Sequence, residues 1–360
     1  MKNYPILRGT FMNLFIYIIL FCFLISTDPI EPCTGICLTA DNNAIIYART
    51  LEFAQNIHSS IVFIPRKVSF TGTTPYEKKP GLSWKTKYAA IGANAADEIG
   101  IIDGVNEKGL AGGLFYLPNY AEYQQITDTD LSKTIAPWEL MTFLLTTCST
   151  VAEVKKVIHE IKVANVVFAA WDIIPPVHAI VHDTQGNSLV IEYIKGQLQL
   201  YDNPLGVITN SPSFDWHMTN LNNYTTLSPV NPKPLKLNDV TLAPFGQGAG
   251  LFGLPGDFTP PSRFVRAVFM SQNVIELKDE EEARTTAFHI LDLFDIPRGI
   301  IRAKEKQVTY EYTQWTSAVD LRNKRYYFHT YENRDVQMAD LMKFNLDTQT
   351  PQIVMAMNKQ

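Results

Sequence analysis

Beyond residue 32 the chain alternates short apolar runs with turn-forming clusters. Residues 36–39, 44–53 and 61–65 read as three strands, with Asp41-Asn42-Asn43 as the turn after the first. Residues 88–93 and 109–116 add two more strands. The period then changes. Over 137–147 and 151–161 apolar residues recur at helical spacing, which predicts two helices, with Pro137 at a tolerated first-turn position. Strands return at 179–183, 188–193, 197–201 and 206–209, and Thr184-Gln185-Gly186-Asn187 reads as a hairpin turn. Residues 262–273 and 279–293 predict a second helix pair, and 308–315, 318–321 and 325–330 are closing strands. Strand runs separated by helix pairs, without strict β-α alternation, argue an α+β fold with layered sheets.

Residues 227–260 are rich in Pro and Gly and include Phe245-Gly246-Gln247-Gly248-Ala249-Gly250 and Leu254-Pro255-Gly256-Asp257. Such a stretch could join two domains, but it carries too many large apolar residues for a linker. It reads as an ordered loop, and 33–360 as a single domain. The 360 residues are 46% hydrophobic, enough for a large core. Charged residues make up 19% and the net charge is −5. The one run of like charges, Asp279-Glu280-Glu281-Glu282, suits a helix start. Nothing forms the basic footprint of nucleic-acid binding, and there is no low-complexity tract or fixed-period repeat.

The N-terminus differs in kind. Lys2 and Arg8 precede the segment 11–26, which is apolar apart from Asn13, Tyr17, Cys22 and Ser26. A basic segment before a short apolar one reads as a secretory signal. It falls short of the roughly 20 residues a membrane-spanning helix needs; an uncleaved anchor is the rival reading. Residues 1–32 are therefore expected to be a signal peptide with a short pro-segment, and the mature protein to be periplasmic or secreted. Of the cysteines Cys22, Cys33, Cys37 and Cys148, the first lies in the signal. The odd remainder excludes a full disulfide framework; a Cys37–Cys148 bridge is open but nothing demands it. No His or second Cys stands at metal-ligand spacing, so a zinc site is not expected.

Cys33 raises the chemical question. A thiol becomes a useful nucleophile when a base takes its proton. If the chain is cut before Cys33, the new α-amine, with an ordinary pKa near ~8, supplies that base from the same residue. A lone Cys is otherwise most often a small buried hydrophobe. The surrounding motifs decide between the two. Cys33-Thr34-Gly35 opens a strand and is followed by Arg49-Thr50-Leu51-Glu52-Phe53. Next come Asn106-Glu107-Lys108-Gly109-Leu110 with Gly113-Leu114-Phe115-Tyr116-Leu117-Pro118, and then Thr209-Asn210-Ser211-Pro212-Ser213-Phe214-Asp215-Trp216-His217. Gly246-Gln247-Gly248, the stretch from Leu254 through Asp257 to Pro260, Ser262-Arg263-Phe264 and finally Gln314-Trp315-Thr316 complete the series. In order and spacing, this series resembles the choloylglycine hydrolase and penicillin V acylase family of linear-amide C–N hydrolases.

The resemblance implies a four-layer αββα sandwich of the N-terminal-nucleophile type, with two antiparallel sheets and no metal or organic cofactor. Cys33 matches the nucleophile. Arg49 matches an arginine that supports its charge state. Glu52 stands where the family usually has an aspartate that accepts from the new α-amine; it keeps the charge but is one methylene longer. Asn210 matches the asparagine whose NH₂ helps form an oxyanion hole, with a backbone N–H at the Tyr116 position as its partner. Arg263 matches an arginine of the polar cluster around the nucleophile. Read alone, Arg49 and Glu52 could be a surface ion pair, Asn210 could start a turn, and Arg263 could lie on a solvated helix face. Cys plus His suggests a papain-like pair, but the α-amine already fills the base role. His217 is therefore expected on a helix near the site, and His178 and His182 to be structural.

On that reading the Cys33 thiolate attacks a linear amide, Asn210 and the Tyr116 N–H hold the oxyanion, and water hydrolyses the thioester. Tyr116 leans toward the penicillin V acylases, since the bile-salt hydrolases tend to carry Asn there. The substrate is thus a small N-acyl amide, with glycine or taurine bile-salt conjugates and acyl-homoserine lactones as alternatives. The family is commonly tetrameric, and 227–260 is the loop expected to reach a neighbour. Two rivals are a lipid-anchored binding protein, against which Pro32 after Glu31 argues, and a non-catalytic relative with Glu52 as its mark.

Overall fold

In the computed structural model, which describes residues 32–76, 78–304 and 308–357, two antiparallel sheets carry the fold. The signal-like segment and Cys22 lie outside the described residues. The first sheet has six strands. Cys33–Thr39, Ile45–Phe53, Val308–Asp320, Arg325–Thr330 and Gln337–Asp340 follow in that order, and Ile301–Lys304 also pairs with Val308–Asp320. The second has eight, ordered Gln197–Asp202, Ser188–Ile194, Val177–His182, Ala111–Tyr116, Asp103–Asn106, Ala90–Ala93, Ser60–Ile64 and Gln352–Ala356.

The strands are apolar on both faces because each sheet is covered on both sides. Along the eight-stranded sheet Ile61, Phe63, Ile91 and Ile180 join the core shared with Tyr47, Trp315 and Tyr326 of the first sheet. Their neighbours Val62, Ile64, Ala90 and Val181 face the other way, into a core with the helices α1 (Leu140–Thr147) and α2 (Val151–Val157). A short helix, α3, spans Phe214–Asn220. The outer face of the six-stranded sheet is covered by α4 (Pro260–Gln272) and α5 (Glu280–Asp292). The layer order is helices, sheet, sheet, helices, as expected. Burying each large aliphatic or aromatic side chain of these cores contributes about 1.5–3 kcal/mol.

Local signals set the helix starts. Asp279 accepts the N–H groups of Glu281 and Glu282, both at 3.0 Å, so the acidic run does open a helix. Thr150 accepts the Glu153 N–H at 3.2 Å, and Pro260 and Pro261 occupy the first turn of α4.

Three sequence expectations change. Residues 206–209 form no strand; one bridge joins Ile208 to Gly35. The cause is a turn, in which Asn203 accepts the Gly206 N–H at 3.0 Å and donates to Val207 O at 2.9 Å, with Gly206 at φ 66°. The two strands expected over 308–321 are one, with a register shift between Thr313 and Trp315. Residues 227–260 hold a small hairpin, Leu235–Leu237 with Val240–Leu242, whose six residues are exposed.

Candidate active site

Cys33 opens the edge strand of the six-stranded sheet and sits opposite Leu51. This register puts Arg49 and Glu52 beside it but on opposite faces, since side chains alternate along a strand. Both are buried, so they are not a surface ion pair.

Arg49 points between the sheets. Its guanidinium donates through Nη1 to Leu114 O at 2.5 Å and through Nε to Thr50 O at 3.1 Å. It also lies over the Phe115 ring, 4.0 Å from the centroid. Asp103 supplies the counter-charge and accepts from Tyr47 at 2.8 Å, Tyr326 at 2.7 Å and Ser317 at 2.9 Å. Burial acts to lower the Arg49 pKa, but the Cys33, Tyr47 and Asp103 charges outweigh it and hold the pKa above its usual value.

Glu52 points the other way, toward α4. Its Oε1 accepts from Thr313 at 2.8 Å. Thr313 in turn accepts the Ile296 N–H at 2.9 Å, so its single hydroxyl proton is left for Glu52. The Glu52 Oε2 has no hydrogen-bond partner among the described residues. Burial pushes the Glu52 carboxyl up to about 8, against the pull of Arg263 and the hydroxyls of Thr50 and Thr313.

Arg263 is buried on α4 rather than solvated. It donates to Asn210 Oδ1 at 2.6 Å, Thr34 Oγ1 at 2.9 Å, Phe258 O at 2.9 Å and the Cys33 carbonyl. Burial lowers its pKa to about 10, with Glu52 and Cys33 acting in the opposite sense. Asn210 is the hub. Its Oδ1 also accepts the Cys33 N–H at 2.8 Å, and its Nδ2 donates to Tyr116 O at 2.8 Å. The Cys33 nitrogen here belongs to the Pro32–Cys33 peptide bond. Burial raises the Cys33 thiol pKa, while Arg49, the Glu52 N–H and Arg263 act to lower it and the Glu52 charge adds to the rise.

Two histidines, His217 and His178, serve the Asn210 turn. His217, on α3, donates through Nε2 to Asn210 O at 2.8 Å and stacks on Phe264 at 4.7 Å. Burial lowers its pKa to about 4. His178 bonds Thr209 O at 3.1 Å and Glu192 at 2.9 Å, and Glu192 also accepts the Phe214 N–H. His182 packs on Tyr47, 5.0 Å between ring centroids. Cys37 and Cys148 are free thiols, so they form no bridge. Among the described residues no group of three or more His, Cys, Asp or Glu is placed to hold a metal ion.

Cys33 and Arg49 line an apolar cavity that encloses about 720 Å³ of space, part of it open to solvent, walled by Leu51, Ile57, Ile102, Leu114, Trp138 and Phe168. The structure thus gathers all six residues singled out in the sequence, with Tyr116 closing the same cavity. Sequence reasoning missed Asp103, Thr313 and Glu192, whereas His178 is structural as expected. A signal for Asp103 exists: it is a lone carboxylate after the apolar pair Ile101-Ile102.

A sequence model described as linear amide C–N hydrolases, choloylglycine hydrolase family, matches residues 33–354. A bile salt hydrolase/transferase from Clostridium perfringens is 35% identical over 317 residues, covering 88% of this chain and 94% of that protein. A penicillin V acylase from Pectobacterium atrosepticum is 26% identical over 319 residues, covering 83% and 78%. The crystal structure of a variant of the conjugated bile acid hydrolase from C. perfringens matches with a TM-score of 0.79 at 33% identity, covering 90% of this chain and 97% of that one. The family match begins at the residue that opens the cavity, and it spans every polar group gathered there: the chain belongs to the choloylglycine hydrolase family of linear amide C–N hydrolases.

Proposed function

We propose that Cys33 is an N-terminal nucleophile that cleaves N-acyl amides through a thioester. The observation that carries this reading is the placement of one residue. The Cys33 thiol borders the apolar cavity, while its nitrogen sits 2.8 Å from Asn210 Oδ1 in the buried polar cluster. Removal of residues 1–32 turns that nitrogen into an amine beside its own thiol. The amine takes the thiol proton, and the thiolate attacks the amide carbon. The Asn210 NH₂ has a second proton besides the one given to Tyr116 O, and with the Tyr116 N–H it stabilises the oxyanion. The amine then protonates the leaving nitrogen, and water releases the acid from the thioester. Arg49, held by the Leu114 and Thr50 carbonyls, and Arg263 hold positive charge near the thiolate. Glu52 and Thr313 orient the amine.

The cavity walls favour an apolar acyl group, aromatic or aliphatic, of the kind found in penicillin V. Bile-acid conjugates are the second reading, favoured by the 35% identity to a bile salt hydrolase/transferase. The N-terminal pattern supports export, with signal removal followed by Cys33-dependent trimming of the short tail. The aliphatic hairpin at Leu235–Leu237 and Val240–Leu242, exposed in one chain, supports assembly into a tetramer. The test is hydrolysis by the mature chain of penicillin V, glycine-conjugated bile acids and acyl-homoserine lactones, with Cys33→Ala as control. Turnover lost in Cys33→Ala is expected. Equal turnover by Cys33→Ala, or none of any amide by the wild type, would defeat the reading.

A further inference from the structure

The catalytic cavity does not end at Tyr116. A second, wider groove shares Phe53, Tyr116 and Trp171 with it and encloses about 1930 Å³ of space partly open to solvent. An amide substrate has two arms. An acyl arm in the apolar cavity leaves the groove for the amine arm. The lining of the groove has a definite chemistry. Its polar side chains include Gln55, Asn119 and Asn165, which are neutral, and among the described residues its one ionisable group other than tyrosine is Glu122. Glu122 is exposed, and its carboxylate makes no hydrogen bond or ion pair among the described residues. Its backbone is fixed, because its N–H bonds Tyr193 O at 2.9 Å and its carbonyl accepts from Gly196 at 3.0 Å. Lys195 is adjacent in space through that bond, but its side chain lines a different groove with Gln197 and Asp215. Among the described residues no Lys or Arg lines the wide groove. Among the described residues the cavity itself has one cation, the buried Arg49, and two carboxylates, the buried Glu52 and the exposed Glu98.

We infer that the wide groove is the amine-side subsite and that it takes uncharged or cationic amines in preference to anionic ones, with Glu122 as the specificity-determining residue. This rests on the hydrolase reading above and narrows it. Glycine, taurine and the bicyclic amine of penicillin V all carry an anion on the amine side. Here that anion would enter a groove with a carboxylate and, among the described residues, no cation. An ammonium would instead meet Glu122 and a lining that includes Tyr120 and Trp171, aromatic rings of the kind that attract cations.

The test uses one acyl group, decanoyl, on three amines: glycine (anionic), ethanolamine (neutral) and 1,2-diaminoethane (cationic). The readout is kcat/KM for each with the mature enzyme at low ionic strength. Ratios within one enzyme cancel any change in its folded fraction. The wild type is expected to cleave the diamine conjugate up to about fivefold better than the glycine conjugate, the range an exposed charge supplies. Glu122→Lys is expected to shift that ratio roughly tenfold toward glycine, and Glu122→Gln to fall between. Salt should shrink the wild-type preference. A wild-type preference for the glycine conjugate, or a ratio that Glu122→Lys leaves unmoved, overturns the inference while leaving the hydrolase reading intact. Turnover of none of the three, nor of the amides named above, sinks both.

Discussion

Arg263 Nη2 lies 2.6 Å from Asn210 Oδ1 and settles which way the Asn210 amide points. A guanidinium has only donors, so the atom it faces must be the oxygen. The NH₂ is therefore turned toward Tyr116, where the developing oxyanion is proposed to sit. Asn210→Asp keeps the oxygen and removes the donor. It should lower kcat by about 10²–10³-fold, the usual effect of deleting one oxyanion donor, with an unchanged circular dichroism spectrum. A kcat close to that of the wild type would remove Asn210 from the oxyanion role.

Glu52 gives the protein a pH signature. Its carboxyl is raised to about 8 by burial, against an unfolded value near ~4.3. A raised acid binds protons more tightly in the folded state. Its contribution therefore favours folding at low pH and is lost as pH climbs from about 4.3 toward about 8. In chains kept unprocessed by Cys33→Ala, the urea midpoint should fall over this window, and Glu52→Gln should flatten that fall. Freeing the α-amine beside Glu52 should move the window to lower pH, because an ammonium favours the carboxylate. Identical pH slopes with and without the Glu52→Gln substitution would show that the carboxyl does not titrate there.

Gly113 explains how a buried arginine fits between the sheets. A Cβ at this position would come within 2.5 Å of Tyr47 Oη, 2.6 Å of Asp103 Oδ1 and 3.1 Å of Arg49 Nη1. Gly113→Ala should therefore disturb the Asp103 cluster and the Arg49 position together. We expect a stability loss of about 1–3 kcal/mol, as for other overpacked sites, and a fall in kcat with little change in KM. Wild-type kcat in this variant would separate Arg49 placement from catalysis.

Much of this was legible in the sequence, for identifiable reasons. Strands such as Ile45–Phe53 and Ser188–Ile194 open on apolar runs, Ile45 to Ala48 and Leu189 to Ile191, and the later helix pair shows its periodicity, with Asp279 as the cap of its second member. Asp103–Asn106 was not legible. Its sequence, Asp-Gly-Val-Asn, carries turn chemistry, and the sheet overrides it by pairing the segment on both sides. At the site, the motifs carried Cys33, Arg49, Asn210 and Arg263. Thr313, Asp103 and Glu192 escaped because their roles depend on long-range pairing, such as the Glu52–Thr313 contact across 261 residues. The opposite facing of Arg49 and Glu52 could have been read from strand alternation alone.

Cys37 and Cys148 offer a control. Cys37 lies farther along the edge strand, and Cys148 ends α1 in the core on the far side of the second sheet. Neither can present an α-amine. Cys37→Ala and Cys148→Ala should keep near-wild-type activity per folded molecule, although Cys148→Ala should lose some stability because it is fully buried. Loss of activity in folded Cys37→Ala would implicate a thiol other than Cys33.

The most direct measurement is peptide-resolved mass spectrometry of active enzyme quenched during turnover of an acyl amide. The expected result is a chain that begins at Cys33, with a free α-amine and the acyl group on the Cys33 sulfur. An active enzyme whose Cys33 nitrogen is still joined to Pro32, or whose acyl group sits on any other residue, would contradict the assignment of Cys33 as the N-terminal nucleophile.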